Sequence, residues 1–218
     1  MTAQPSIQRK TRKELLSEWR HAEILDAAGR IFAARGYSAT NVEEIAKEAG
    51  MAKGTIYLYF KSKEEIFAEV LGRDLQALTD RTIEAMSAAE MFSGRVKIFL
   101  NLRLEYLRSK QNFLRIYLDE CASRSARPKP VADAMDKMFR RDLEFMQWCV
   151  VRAMARDEIR QVPAEAAAYA IFDLARGFVQ RHLNGWTPLT LEEDVAFVHS
   201  MILNGLQKDK SAEEMAAH

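Results

Sequence analysis

The sequence predicts an all-α chain, and three observations predict it. Apolar residues recur at helical spacing over long stretches, and no segment keeps strand-like alternation for more than a few residues. The few glycines and prolines stand between those stretches as punctuation. Gly36, Gly50, Gly94, Pro128, Pro130, Pro163, Gly185 and Pro188 divide the 218 residues into nine or so helices.

Residues 1–18 carry Arg9, Lys10, Arg12 and Lys13 and read as a basic flexible arm. A helix follows from about Trp19 to Arg35, with Ile24, Ala27, Ala28, Ile31 and Phe32 at helical spacing and Gly36 as C-cap. Thr40 opens a second, short helix with the capping box T-N-V-E, in which Glu43 returns a hydrogen bond to the cap. That helix buries Val42, Ile45, Ala46 and Ala49 and stops at Gly50. A third runs from near Ala52 to around Tyr59. Ser62 opens a fourth with a second box, S-K-E-E, continuing to about Ala89. Beyond Gly94 the helices are longer and more apolar, over residues 94–109, 111–123, 131–156, 164–184 and 191–206, and the last dozen residues fray.

Composition narrows the function classes. The N-terminus is polar and basic without the apolar run of a signal peptide, and no stretch approaches the roughly 18 apolar residues of a membrane span. Cys121 and Cys149 lie far apart in no metal-like spacing. A cytoplasmic protein with reduced thiols, no membrane partner, no metal and no cofactor is the economical reading. Charge is uneven: residues 1–63 hold 11 Lys and Arg against 7 Asp and Glu, while the remainder holds 21 against 24. A basic front on a mildly acidic chain suits an anionic polymer bound at one end.

Residues 40–60 read helix, glycine turn, helix, with Ala46 small enough for the two helices to cross closely. This arrangement presents its second helix to a DNA major groove. Projected at about 100° per residue, Ile56 and Phe60 fall on one side and pack inward. Gly54, Thr55, Leu58 and Tyr59 share the opposite side, and Lys53 and Tyr57 flank the buried edge. With Lys63 nearby, that outward set suits phosphate and base-edge contact.

Residues 24–71 resemble the DNA-binding domain of the tetracycline-repressor (TetR) family. The matching features are F-x-x-x-G-Y-x-x-T, E-I-A-x-x-A-G and G-T-I-Y-x-Y-F-x-x-K-E-E. The resemblance implies that Thr40 and Asn41 contact phosphate at a helix start, and that Lys53, Gly54 and Thr55 meet backbone or bases. It further implies that Tyr57 and Tyr59 donate to phosphates and that Lys63 grips another. Position 58 is often aromatic in the family; Leu58 cannot hydrogen-bond and at most meets a thymine methyl. The implied domains are a helix-turn-helix domain over residues 19–63 and a helical effector-binding and dimerisation domain over residues 64–218.

In the C-terminal part, charges fall on apolar helix faces. Arg103 projects among Val96, Phe99 and Leu107, Glu120 lies between Phe113 and Ile116, and Asp142 falls among Met135, Met138, Met146 and Cys149. Such charges must be paired or lie near a polar cavity. Two readings compete: a buried ion pair of Arg103 with Glu120 or Asp142, or a ligand anchor walled by Phe99, Tyr106, Phe113, Tyr117, Phe139, Met146 and Phe172. The helices over 164–184 and 191–206 are apolar over a wide arc, which suits burial against two partners. The family resemblance makes one of them a second subunit, so that a twofold homodimer meets a near-palindromic operator. His182 and His199, on these helices, read as exposed or satisfied rather than metal ligands.

No nucleophile-and-base signature, phosphate-cradling glycine loop or metal motif occurs, so no enzymatic activity is expected. The reading is a DNA-binding transcriptional regulator, a repressor released from its double-stranded operator by a small apolar or amphipathic effector. The alternatives are a helix-turn-helix protein controlled by a partner protein, and a helical enzyme or carrier that kept the N-terminal module.

Overall fold

The computed structural model describes residues 11–121 and 129–207, apart from the side chains of 111–121, 130, 131, 134 and 135. The fold is all-α. The eight helices among the described residues are α1 (Arg12–Arg35), α2 (Val42–Glu48), α3 (Lys53–Ile56), α4 (Lys63–Ala88), α5 (Phe92–Cys121), α6 (Lys129–Ala155), α7 (Ala164–Leu183) and α8 (Leu191–Leu206). None of them is long and apolar enough to cross a membrane. The chain forms two compact units, one ending at Leu71 and one beginning at Gly72.

In the first unit α1 begins at Arg12 rather than near Trp19. The Thr11 hydroxyl accepts the Glu14 N–H while the Glu14 carboxylate accepts the Thr11 N–H, a reciprocal cap that starts the helix early. Residues 12–18, assigned from sequence to the flexible arm, are therefore helical; residues 1–10 lie outside the described residues. Ile24, Ala27, Ala28 and Phe32 form the buried stripe of α1, and Gly36 ends it by donating to the Phe32 carbonyl. The start of α2 also moves. Asn41 is the cap, accepting from the Glu44 N–H, and Glu44 rather than Glu43 returns the bond. Thr40 is turned inward instead, its hydroxyl donating to the Gly36 carbonyl at 2.7 Å.

The turn after α2 needs a left-handed residue, and Gly50 supplies it at φ 64°. The Met51 N–H then reaches back to the Ala46 carbonyl, satisfying the helix end. α3 is shorter than expected: only four residues are helical, and residues 57–59 form a turn. The Tyr59 and Phe60 N–H groups both converge on the Ile56 carbonyl, which tightens the chain so that Phe60 returns to the core. The compact unit extends to Leu71 rather than to residue 63 because the first turns of α4 belong to its core. Phe67 meets Phe32 edge-on, and Ile66, Val70 and Leu71 are buried.

In the second unit, α5 begins at Phe92, ahead of Gly94, because the Glu158 carboxylate accepts the Phe92 N–H at 2.5 Å. The two helices expected on either side of residue 110 are one element with a kink: Lys110 has φ −126° and ψ 23°. α6, α7 and α8 lie close to their expected ranges. α6 ends where Asp157 takes a left-handed φ of 63° and the Glu158 N–H bonds the Ala153 carbonyl. The core joins Val96, Phe99 and Leu100 of α5 to Met146 and Val150 of α6, Ile171 and Phe178 of α7, and Val198 and Ile202 of α8.

Gly50→Ala is expected to lower unfolding free energy by about 1–2 kcal/mol through left-handed strain. A Cβ at this position would meet nothing within 4 Å, so no clash contributes. Gly50→Asn should lose less, because asparagine tolerates this conformation. Urea unfolding followed by helical circular dichroism checks both; an alanine variant as stable as the parent contradicts the strain.

Candidate functional site

The exposed face of the first unit is built on two buried side chains. Ile56 is 0% and Phe60 1% exposed, and they hold α3 and its following turn against α1 and α2. Between these anchors the chain must bow outward. Leu58 is 80% and Tyr57 48% exposed, and Gly54 and Lys53 are exposed beside them. Thr55 and Tyr59 are half-buried, the Tyr59 ring lying 6.3 Å edge-on from His21. The helical projection placed Tyr59 outward and Tyr57 at the flank; the short α3 reverses their exposure.

The structure thus brings Lys53, Gly54, Tyr57 and Leu58 onto one solvent-facing surface. The other expected phosphate ligands serve nearer supports. Thr40 is only 2% exposed and spends its hydroxyl on Gly36. Asn41 is exposed, but its side chain caps α2. Lys63 is half-buried: its ammonium donates to the Tyr37 and Thr40 carbonyls at 2.9 and 3.0 Å and sits 4.1 Å from the Tyr37 ring centre. The Tyr37 hydroxyl in turn donates to Glu64, and that carboxyl lies below its usual range through its backbone hydrogen bond first and Tyr37 second. Sequence reasoning gave Tyr37 no such role, because the contact joins residues 27 positions apart.

Lys53 is paired with Glu43. That hydrogen bond depresses the Glu43 carboxyl and raises the Lys53 ammonium. Both side chains are about half exposed, so the pair is screened and adds little to stability. An incoming phosphate can take over the ammonium at small cost. A glycine without neighbours, a phenol, an apolar tip and an exchangeable cation together make a surface suited to a DNA backbone and a base edge.

In the second unit the Arg103 guanidinium donates to Asp142 at 2.5 Å, with the two side chains 13% and 2% exposed. Of the two pairings left open by the sequence, the structure takes Asp142; the Glu120 side chain lies outside the described residues, as do those of Phe113, Tyr117 and Met135. Arg103 also donates to the Thr82 hydroxyl at 3.3 Å and lies over the Phe99 ring. Burial raises the Asp142 carboxyl, and Arg103 opposes that shift. The Thr79 hydroxyl lies beside this carboxylate without a hydrogen bond of ordinary geometry, and the second Asp142 oxygen is buried without one. The Tyr106 hydroxyl is also buried without a partner, and burial pushes its ionisation up.

The expected walls are close-packed here. Phe172 meets Phe99 at 4.8 Å and Phe139 at 5.4 Å between ring centres, and Met146 is 1% exposed. The sequence reading did not single out Thr79 and Thr82. Their signal is two hydroxyls on the buried face of α4, where Thr82 bonds back to the Leu78 carbonyl. His182 lies 3.1 Å from the buried Asp194, which Arg181 also binds, and His199 meets the Ser93 carbonyl at 2.9 Å. Cys149 is buried, and burial pushes its thiol up; Cys121 lies outside the described side chains. Among the described residues no group of three His, Cys, Asp or Glu is placed to hold a metal ion.

Comparison with known proteins follows the same division. Residues 24–70 match the model of the tetR family of bacterial regulatory proteins. The uncharacterised helix-turn-helix-type transcriptional regulator YhgD of Bacillus subtilis is 27% identical over 183 residues, 84% of this chain and 94% of that protein. Among solved structures, the fold is similar to the transcriptional regulator FadR from Bacillus subtilis in complex with stearoyl-CoA. The TM-score is 0.71 at 21% identity, over 86% of this chain and 100% of the other. A transcriptional regulator from Saccharomonospora viridis in complex with choline has a TM-score of 0.73 at 22% identity, over 88% of this chain and 100% of the other. At such identities the two structures speak for the fold alone.

Arg103→Met leaves the Asp142 charge buried and is expected to cost about 3–5 kcal/mol. Arg103→Met combined with Asp142→Leu should recover most of that loss, since no lone charge remains. Urea unfolding of both variants decides it; a double variant no more stable than Arg103→Met contradicts the coupling.

Proposed function

From the premise that the chain belongs, through residues 24–70, to the tetR family of bacterial regulatory proteins, we propose that it is a ligand-responsive repressor acting as a twofold dimer on a near-palindromic operator. The observation that carries the reading is the outward bow of the chain between Ile56 and Phe60, which displays Tyr57 and Leu58 beside Lys53. In the bound state Lys53 leaves Glu43 for a phosphate, and Tyr57 donates its hydroxyl to another. Gly54 and Thr55 approach the backbone, and Leu58 meets a thymine methyl. Thr40, Asn41, Tyr59 and Lys63 hold that surface from behind, Lys63 reaching a phosphate only at the loss of its carbonyl partners.

Exposed apolar side chains on the last two helices support the dimer. Tyr169 and Leu174 of α7 and Phe197 and Met201 of α8 are 40% exposed or more. A groove of about 320 Å³ beside them is lined by Ala166, Ala170, Leu174, Met201 and Gly205. Small residues there let helices approach closely, and the large apolar ones gain a surface to cover.

The effector is read as an apolar or amphipathic molecule with one hydrogen-bonding group. The buried Tyr106 hydroxyl and the free Asp142 oxygen support that group, and Phe99, Phe139, Met146 and Phe172 support an apolar body. Stearoyl-CoA and choline, bound by the two proteins of similar fold, differ enough that only these side chains can choose. α4 runs from Lys63 to Ala88 and carries residues of both units, with Thr79 and Thr82 next to the polar cluster. An effector that binds the DNA-free conformation better then lowers operator affinity by the same factor. Control by a partner protein is the second reading, favoured by the ring contacts that fill the expected chamber.

Selection of bound genomic fragments followed by footprinting is expected to give one protected near-palindrome with half-sites about one DNA turn apart. Equal affinity for every fragment overturns the assignment. On the selected operator, Leu58→Ala should weaken binding about tenfold, as loss of one buried apolar tip implies, with unfolding unchanged. Phe197→Glu is expected to give monomers by sedimentation, with operator affinity falling alongside. Calorimetry that finds an acyl ligand binding equally with and without operator excludes the release mechanism.

A further inference from the structure

The end of α4, the start of α5 and the end of α6 enclose a cleft of about 680 Å³ that neither the DNA-contacting surface nor the Arg103 cluster uses. Arg95, Arg152 and Arg156 line it together with Trp148 and the two carboxylates Glu90 and Glu158. Arg95 is only 7% exposed. Its Nε donates to the Ala89 carbonyl at 3.0 Å, and its guanidinium lies 5.4 Å from the Trp148 ring centre, next to the Cys149 thiol. Arg156 donates to the adjacent Glu90 carbonyl, also at 3.0 Å. Arg152 lies over the same Trp148 ring at 5.2 Å.

Two consecutive carbonyls of the α4–α5 turn therefore hold two guanidinium groups side by side, and a third is held nearby on Trp148. Their compensation is incomplete. Glu158 lies 3.9 Å from Arg156 but has its other oxygen on the Phe92 N–H. Among the described residues neither Arg95 nor Arg152 has a carboxylate within ion-pair distance. A guanidinium carries five N–H donors, so one carbonyl and a weakly accepting thiol leave part of the donor capacity of Arg95 to the cleft. A buried cation without a counter-ion is costly, and an arriving anion relieves that cost. Flat guanidinium groups present the fork that bidentate oxyanions fit.

We propose that this cleft binds the oxyanion group, phosphate or carboxylate, of a small metabolite, with Arg95 as the buried anchor and Arg152 and Arg156 at the rim. The volume exceeds that of a lone ion and leaves room for the body of the metabolite beside Met91 and Trp148. The cleft and the Tyr106 cluster share no side chain, so substitutions in one leave the lining of the other intact.

Titration calorimetry on the full chain, with pyrophosphate and citrate in chloride buffer of matched ionic strength, tests the cleft. The parent is expected to bind at least one of them, and the preferred one identifies phosphate or carboxylate as the source. Arg152→Gln and Arg156→Gln, both at exposed positions, should each weaken that binding about tenfold, the loss of one charge-assisted contact. Arg95→Met should abolish the rise in melting temperature that the anion gives the parent. Should Arg95→Met fail to fold, the two rim variants carry the test alone. No binding of either anion by the parent, or affinities within about twofold of the parent in both rim variants, overturns the proposal.

Discussion

A helix of four residues cannot hold itself in water, because nucleation is unfavourable and isolated helices well beyond that length are marginal. α3 has four. Its place on the surface depends on Ile56 and Phe60, each contributing about 2–3 kcal/mol by burial, and on the neighbours that close over them. His21 stacks on Phe60 at 4.8 Å, while Lys63 ties the 37–40 loop to the start of α4. Between the anchors Tyr59 still packs edge-on against His21, but Tyr57 and Leu58 are exposed and carry little of the packing. That freedom explains how Leu58 can be 80% exposed without disturbing the fold, and why contact specificity can vary there while the motif stays intact.

The second unit places charge where a core of its size could have been wholly apolar. Asp142 is 2% exposed and Asp194 0%, each bound by an arginine on another helix. Such pairs gain little over apolar packing, yet breaking one is severe, so they penalise any sliding of α5 on α6 or of α7 on α8. The close contact of Phe99, Phe139 and Phe172 beside the unpartnered Tyr106 hydroxyl has the opposite character. Apolar rings can repack at modest cost, whereas an unpaired buried hydroxyl gains from any partner that reaches it.

Where a feature depends on neighbours in sequence, the sequence revealed it well. α4, α6, α7 and α8 follow from apolar periodicity, and the helical break near residue 110 survives as the Lys110 kink. The start of α2 was read one residue early, at T-N-V-E, because N-V-E-E overlaps it and both have the form of a capping box. Only the bond from Thr40 to Gly36 chooses between them. The exposures of Tyr57 and Tyr59 were misread because the projection carried helical geometry through residues that form a turn. Features joining distant residues were legible only as alternatives, as with Arg103 and its two possible partners. The arginine cleft had no signal at all, since residues 87–95 and 148–158 meet only after folding.

Lys53 and Lys63 show why residue type and spacing alone cannot assign a mechanism. Both are cations bordering the same motif, and both are engaged in the free protein. Lys53 shares an exposed, solvent-screened bond with Glu43 that adds little to stability. Lys63 is half-buried on two carbonyls and an aromatic ring, and withdrawing it would leave the Tyr37 and Thr40 carbonyls short of a donor. The first lysine is held only loosely, by one exposed carboxylate. The second acts chiefly on the protein, keeping the 37–40 loop and the first turn of α4 together.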